Sequence, residues 1–138
     1  MREILFRGKR LADGKWIYGY YFEQEMHDGL RSYIRTSQTD RFGSDFSVDP
    51  DTVGEYTGLQ DMNGKKIFEG DIVKCNNKVE EYIGIVDWDN CNPSMCIRYK
   101  SEKGFDRVEY DFIICGNMTL ELLGNRWDNP ELLKGGEK

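Results

Sequence analysis

The sequence predicts a mainly β protein: an N-terminal β meander packed on a C-terminal small barrel, with a short helix at the end of the chain. Three observations carry this. Turn pairs recur between short apolar runs, at Asp13-Gly14, Asp28-Gly29 and Asn63-Gly64, and such pairs tolerate the positive φ that tight hairpins need. The runs between them are rich in β-branched and aromatic residues and too short for helices. Hydrophobic residues make up 38% of the 138 positions and charged ones 32%, yet 13% are aromatic. That mixture suits a thin sheet or small barrel, with much surface and little core.

The elements follow in chain order. Residues 4–6 form a short apolar run. Residues 15–22 follow the Asp13-Gly14 turn, and 20–26 and 30–35 flank Asp28-Gly29, so the first 36 residues read as a three-stranded meander. Residues 37–54 turn rich in Ser, Thr, Asp and Gly, a long loop with room for a short strand at 46–48; Pro50 disfavours a helix through Asp49. This shift in composition marks a boundary, giving an N-terminal part over 1–54 and a C-terminal part over 55–138. Strands are predicted at 71–75, 80–88, 95–100 and 108–112, with a turn at 90–94 where Pro93 blocks ladder bonds. Glycine and asparagine punctuate both ends of 119–123, which favours a last strand there over a short helix. Asn129-Pro130-Glu131-Leu132-Leu133 places a capping residue, then proline at a first helical position, then an apolar pair. This predicts one or two helical turns, stopped by Gly135-Gly136.

Residues 56–74, YTGLQDMNGKKIFEGDIVK, are unusually dense in turn signals. Asn63-Gly64 lies between Leu59 and the pair Ile67-Phe68. Glu69-Gly70-Asp71 then turns the chain again into the β-branched Ile72-Val73. Glycine at 70 marks a conformation that other residues resist, and the Asp71 carboxylate is placed to accept a nearby backbone N–H. Such a set of turns feeds an SH3-like barrel, in which a few short, strongly bent strands surround a small core. Asn63, Gly64, Gly70 and Asp71 are therefore read as structural, and the stretch as the entry to the barrel rather than a catalytic loop.

The same stretch resembles the signature of the YopX family of bacteriophage and prophage proteins. The opening MREILFRGKRLADGKWIYGYY and the close ELLGNRWDNPELL are similar to that family's usual start and end. The resemblance is weakest over residues 23–50 and 89–108. It implies a mostly β protein whose C-terminal part is an SH3-type barrel, in a phage-related, cytoplasmic context. It implies no catalytic residues.

Charge and composition narrow the function classes. The net charge is −6 and the sequence pI about 4.9, whereas a protein that neutralises many phosphates needs a basic surface. Nucleic-acid binding is disfavoured, with Lys65-Lys66 and Arg7, Lys9 and Arg10 as the local patches that could still serve it. No run approaches the roughly 18 apolar residues of a membrane span. The basic N-terminus has no apolar stretch behind it, so no secretory signal is read and the cytoplasm is the expected compartment.

Among chemical constellations, Cys75, Cys91, Cys96 and Cys115 offer one near pair, Cys91 and Cys96, where structural zinc usually shows two. The single histidine, His27, sits beside a hairpin turn. The cysteines are read as free thiols, without a metal site or a Cys–His catalyst. Asp87 and Asp89 share a strand face, as do Glu109 and Asp111, with Asp106 nearby. An acidic cluster for Mg²⁺ or Ca²⁺ is one reading and a solvated sheet face is the favoured one. No phosphate-binding glycine loop occurs, and the sequon at Asn117 is a chance match in a cytosolic chain. Trp16, Tyr18, Tyr20 and Phe22 alternate along one strand face. Burial as core is the favoured reading, since large aromatics dominate cores; exposed, the stripe would stack bases or bury a partner surface.

These readings converge on a non-enzymatic protein-interaction module without a cofactor, acting through a protein partner or self-association. A nucleic-acid-binding small barrel is the alternative. The binding candidates are Trp16, Tyr18, Tyr20 and Trp88, followed by Lys65 and Lys66.

Overall fold

The computed structural model describes residues 4–36, 45–76, 81–90, 94–100, 106–109 and 119–137. They form a mainly β structure of antiparallel sheets. Two compact units make up the chain, Met1–Tyr56 and Thr57–Lys138.

In the first unit, β1 (Phe6–Lys9), β2 (Trp16–Met26), β3 (Gly29–Arg35), β4 (Asp45–Ser47) and the start of β5 (Gly54–Gln60) lie in the order β4-β3-β2-β1-β5. Strand alternation decides the core. Ile17, Ile34 and Val48 are buried, with Phe6, Tyr21, Phe46 and Val53 packed on them. The register Tyr21↔Ile34 and Ile34↔Phe46 carries that apolar row across three strands. The first strand begins at Phe6 rather than Ile4 because Phe6 takes the core position, while Ile4 is exposed.

The hairpin signals mark turns, but shifted ones. Met26 pairs with Gly29, so His27-Asp28 form the tight turn and Gly29, at φ 125°, opens β3. Between β1 and β2 the connection is a four-residue loop, 11–14. Arg10 donates its N–H to the Lys15 carbonyl at 2.9 Å and Gly14 donates to the Arg10 carbonyl at 2.8 Å. Gly14 has φ 73°. An Asp-Gly pair supplies a left-handed glycine to a longer loop as readily as to a two-residue turn. As expected, no helix runs through Asp49, which is extended at φ −74° and ψ 116°; Pro50 opens a 3-10 turn, Pro50–Thr52, where a fixed φ is favourable. The Asp49 carboxylate accepts the Asp51 N–H at 3.0 Å, and the buried Thr52 hydroxyl accepts the Lys9 N–H at 2.9 Å.

In the second unit, the end of β5 lies beside β6 (Lys66–Phe68). A five-stranded sheet then holds β7 (Asp71–Asn76), β8 (Glu81–Asp89), β9 (Ser94–Lys100), β10 (Asp106–Glu109) and β11 (Thr119–Asn125), in the order β10-β9-β8-β7-β11. Val73 and Cys75 of β7, Tyr82 and Val86 of β8, Met95 and Ile97 of β9 and Leu120 of β11 join Ile67 in one buried cluster. The Tyr82 and Tyr99 rings stack on neighbouring strands, 3.6 Å apart and nearly parallel at 13°.

Of the expected SH3-like small barrel, the mainly β, antiparallel character is present, but the described strands close no barrel. Among the described residues the sheet ends on β10 and β11, and nothing pairs the two. Turn residues encode where the chain bends; closure depends on the partner the last strand takes. Here β11 pairs with β7, with a bulge between Leu122 and Gly124. The tail also differs from expectation. Pro130–Glu137 is a 3-10 segment that runs through Gly135-Gly136. The Asn129 carboxamide oxygen turns back to accept the Asn125 N–H at 3.3 Å instead of capping the segment's first turn.

Cys91, Cys115, Asp111, Pro93, the 110–112 end of a predicted strand, the sequon asparagine Asn117 and residues 37–44 of the predicted loop lie outside the described residues, as do the side chains of Asp106 and Glu109. Among the described residues no helix is long and apolar enough to cross a membrane.

Candidate functional site

Strand β2 presents its two faces unequally. Ile17 and Tyr21 point into the core. Trp16, Tyr18, Tyr20 and Phe22 occupy the opposite face, where Tyr18 is 48% and Tyr20 60% exposed. The favoured reading of the aromatic stripe as core is therefore corrected. β-Branched Ile17 and Ile34 fill the small interior, and the bulkier even-numbered rings are left on the outer face. Gly19, between the two tyrosines, has the Arg35 carbonyl so close that a Cβ would collide with it. The register places Arg35 directly across from Tyr20 and Tyr33 across from Phe22.

This outer face also gathers cations. Arg7 pairs with Tyr18 and Lys9 with Trp16 across β1 and β2. The Arg7 guanidinium lies 4.6 Å and the Lys9 ammonium 5.4 Å from the Trp16 ring centre, inside the range where the ring's negative face attracts a cation. Arg7 is buried. Arg35 lies 5.1 Å over the Phe22 ring and grips Asp45 of β4 with two donors, Nε to Oδ1 at 2.7 Å and Nη2 to Oδ2 at 3.0 Å. Hydrogen bonding to Arg35 holds the Asp45 carboxyl below the usual range. Arg31, further along β3, holds Asp28 at 2.6 Å. Phe22 and Tyr33 stack at 5.2 Å. Arg10, grouped with Arg7 and Lys9 by sequence, goes elsewhere: it covers the Phe46 ring at 4.5 Å and pairs with Asp13 at 3.7 Å.

The remaining candidates belong to the second unit. Trp88, 41% exposed, lies across from Met95 near the ends of β8 and β9. Lys65 and Lys66 are exposed on the β5–β6 hairpin. Asp87 and Asp89 do share a face, but Arg98 lies between them, with Nε 3.1 Å from Asp87 and Nη2 3.9 Å from Asp89. A cation supplied by the chain already occupies the place a metal would take. Among the described residues no three metal-ligating side chains gather. Cys75 and Cys96 are buried and in no disulfide, and burial raises the Cys96 pKa above the ordinary thiol value.

Sequence reasoning missed Asp61, although it stands in the turn-dense stretch. Its buried carboxylate accepts three backbone N–H groups: Asn63 at 2.8 Å and Lys65 at 2.9 Å on Oδ1, and Leu122 at 2.9 Å on Oδ2. The turn it fixes spans 61–64, closed by Gly64 N–H to the Asp61 carbonyl at 3.0 Å, with Gly64 at φ 84°. Asn63-Gly64 is thus the second half of a four-residue turn rather than a two-residue hairpin. The Asp71 carboxylate accepts the Phe68 N–H at 2.7 Å. Gly70, at φ 94°, lies under the ring of Trp127, and its carbonyl accepts the Arg126 N–H at 2.9 Å. The stretch 56–74 is tied at both turns to the segment 120–127.

That clasp joins two of the three segments in which the resemblance was read. The sequence matches the YopX protein family over residues 5–134. The chain belongs to the YopX family. No curated protein matches it. The YopX match runs from the residue before β1 into the C-terminal 3-10 segment, so it takes in the aromatic face and the clasp alike. Within this YopX chain the two regions differ physically: the clasp engages backbone groups with the buried carboxylates of Asp61 and Asp71, and the aromatic face leaves the Tyr18 and Tyr20 rings exposed.

Proposed function

We propose that this YopX family protein is a phage-type accessory protein of the cytoplasm, a non-enzymatic module that binds a protein partner through the outer face of its first sheet. The observation that supports it is the exposure of Tyr18 and Tyr20 side by side on β2, flanked by Trp16 and Arg35. Folding alone gives no reason to leave two large rings in water, and contiguous exposed aromatics mark interaction sites. Tyrosine, tryptophan and arginine are the residues that dominate binding energy at protein interfaces. The acidic pair in the second unit is engaged by Arg98, which favours a structural role over metal chemistry.

A second reading, stacking of single-stranded nucleic acid on the same rings, is favoured by their closeness to Arg35. One experiment separates the two. The tagged 138-residue protein and its Tyr18→Ser/Tyr20→Ser variant are incubated in bacterial lysate, with and without nuclease, and the captured proteins are quantified by mass spectrometry. A stoichiometric partner that survives nuclease and is lost with the double variant supports the interaction module. Partners that vanish on nuclease treatment transfer the function to nucleic acid. Capture indifferent to both tyrosines refutes the assignment of this face.

A further inference from the structure

We infer that Asn63-Gly64 is a site of covalent self-modification, an asparagine that deamidates through a cyclic imide, and that the Asp61 clasp sets the rate by holding the turn shut. The pair is the only Asn-Gly in the sequence. The nucleophile is the Gly64 main-chain nitrogen. Glycine leaves that nitrogen unshielded, and nothing lies within 4 Å of the place a Cβ would take. The electrophile is Cγ of the Asn63 carboxamide. Both residues are exposed, so water reaches the turn and ammonia leaves it. The Gly64 nitrogen bonds to Asn63 Cγ, the Cγ–Nδ2 bond breaks, and the amide proton of Gly64 departs with the nitrogen as ammonia. Water then opens the imide at either carbonyl. Opening at Cγ gives aspartate. Opening at the former main-chain carbonyl gives isoaspartate, in which the chain runs through Cβ. Water is the only co-reactant.

The fold opposes the first step at the atom that must react. Gly64 donates its N–H to the Asp61 carbonyl at 3.0 Å. That hydrogen is lost in the imide, so the bond that closes the turn has to break before the ring forms. The Asn63 main chain is pinned one residue earlier, by its N–H on Asp61 Oδ1 at 2.8 Å. The same carboxylate accepts the Lys65 and Leu122 N–H groups, each at 2.9 Å. Met62 donates to the Leu120 carbonyl at 2.9 Å, and Asp61 donates to the Lys65 carbonyl at 2.7 Å. To open, the turn must therefore release β11 as well as itself. Reaction is confined to the molecules whose clasp is open, a population set by local rather than global stability. The product then loosens its own restraint. It carries a carboxylate at position 63, close to the buried charge of Asp61, and like charges repel. Isoaspartate also adds a methylene to the main chain inside a turn closed by a single backbone bond from Gly64.

The test incubates the 138-residue protein at mildly alkaline pH, folded in buffer and unfolded in guanidinium chloride, and follows each asparagine by peptide mass spectrometry with fragmentation that separates aspartate from isoaspartate. In denaturant Asn63 should convert faster than every other asparagine, with isoaspartate among the products. In the folded protein its rate should be at least about tenfold lower, because charge-assisted hydrogen bonds keep the turn closed. Asp61→Ala, shown by circular dichroism to be folded, should recover most of that difference. The modified protein, separated by ion exchange, should melt at a lower temperature than the unmodified one. Where Asp61→Ala does not fold, guanidinium concentrations below the unfolding midpoint of the unsubstituted protein replace it, and the Asn63 rate should rise before the circular dichroism changes. An Asn63 no faster than the other asparagines in denaturant overturns the site. A folded rate equal to the unfolded one, a folded Asp61→Ala with the rate unchanged, or a rate that rises only with global unfolding overturns the clasp as its gate.

Discussion

The indole of Trp127 lies directly over Gly70, filling the space a side chain at that position would need. Two constraints meet there. The backbone at Gly70 is left-handed, at φ 94°, and its N–H and carbonyl are both engaged, by the Val86 carbonyl at 2.7 Å and the Arg126 N–H at 2.9 Å. The ring is positioned by Asn125, whose carboxamide oxygen accepts the N–H groups of Trp127 and Asp128 at 3.0 and 2.9 Å.

Substitution of Gly70 tests this pairing. Gly70→Ala should destabilise by about 2–4 kcal/mol, roughly half from the left-handed conformation and half from overlap with the indole. Gly70→Val should do worse. Trp127→Ala removes the overlap but not the conformational penalty. Denaturant melts of the two single variants and the double variant should show a double-variant loss at least about 1 kcal/mol smaller than the sum of the singles. Strict additivity would mean that ring and glycine do not meet.

The parity of β2 gives a second prediction. Ile17→Ala should cost about 2–4 kcal/mol, because it opens a cavity among Ile34, Val48 and Phe6. Tyr18→Ser and Tyr20→Ser, on the exposed face, should each change stability by no more than about 0.5 kcal/mol. The reverse ranking would place the aromatic stripe in the core after all.

That strand also shows how far the sequence could be read. Strands at 71–76 and 119–125 were legible because glycine, proline and asparagine punctuate β-branched runs, and those signals are local. The face of β2 was not legible, since both its parities are apolar: Ile17 and Tyr21 compete with Tyr18 and Tyr20. What settled the matter was the register of Tyr21 with Ile34, thirteen positions away, which turns the odd-numbered residues Ile17 and Tyr21 to the core. Asp61 was invisible for the same reason. Its turn partners Asn63 and Lys65 are local, but the third donor, Leu122, is 61 residues away. The cationic character of the candidate site was hidden too, because Arg35 and Lys9 come to it from different strands.

The carboxylates of β8 yield a third prediction. With Arg98 between Asp87 and Asp89, millimolar Mg²⁺, Ca²⁺ or Mn²⁺ should leave the melting temperature of the native protein unmoved. Arg98→Met should lower stability by about 1 kcal/mol, a modest figure because the arginine is partly solvated. It should also confer a rise in melting temperature with added Ca²⁺, since the guanidinium would no longer stand between the two carboxylates. A metal-dependent shift in the native protein would show that Arg98 does not neutralise the pair.

Acid titration isolates the contribution of Asp61. Burial works to raise the pKa of its carboxyl, but the N–H groups of Leu122, Lys65 and Asn63, with the charge of Lys65, outweigh it and hold the group below the ordinary aspartate value. A carboxyl depressed in the folded state contributes stability that is fully present above the unfolded pKa of about 4 and is lost as pH falls through the folded value. Asp61→Asn keeps one acceptor oxygen but turns an amide N–H₂ toward one of the backbone donors. At pH 7 the substitution should therefore cost about 1–3 kcal/mol, since a buried N–H loses its partner. The gap between the two proteins should stay constant above about pH 5 and narrow below about pH 4 as the native carboxyl takes up its proton. Urea melts of both proteins from pH 7 to pH 2.5 measure the gap directly. A gap that persists unchanged at the acid end would show that the amide's misfit, and not the charge of Asp61, sets the loss, and the hairpin at 61–64 would then be tied to Leu122 by shape rather than by the carboxylate.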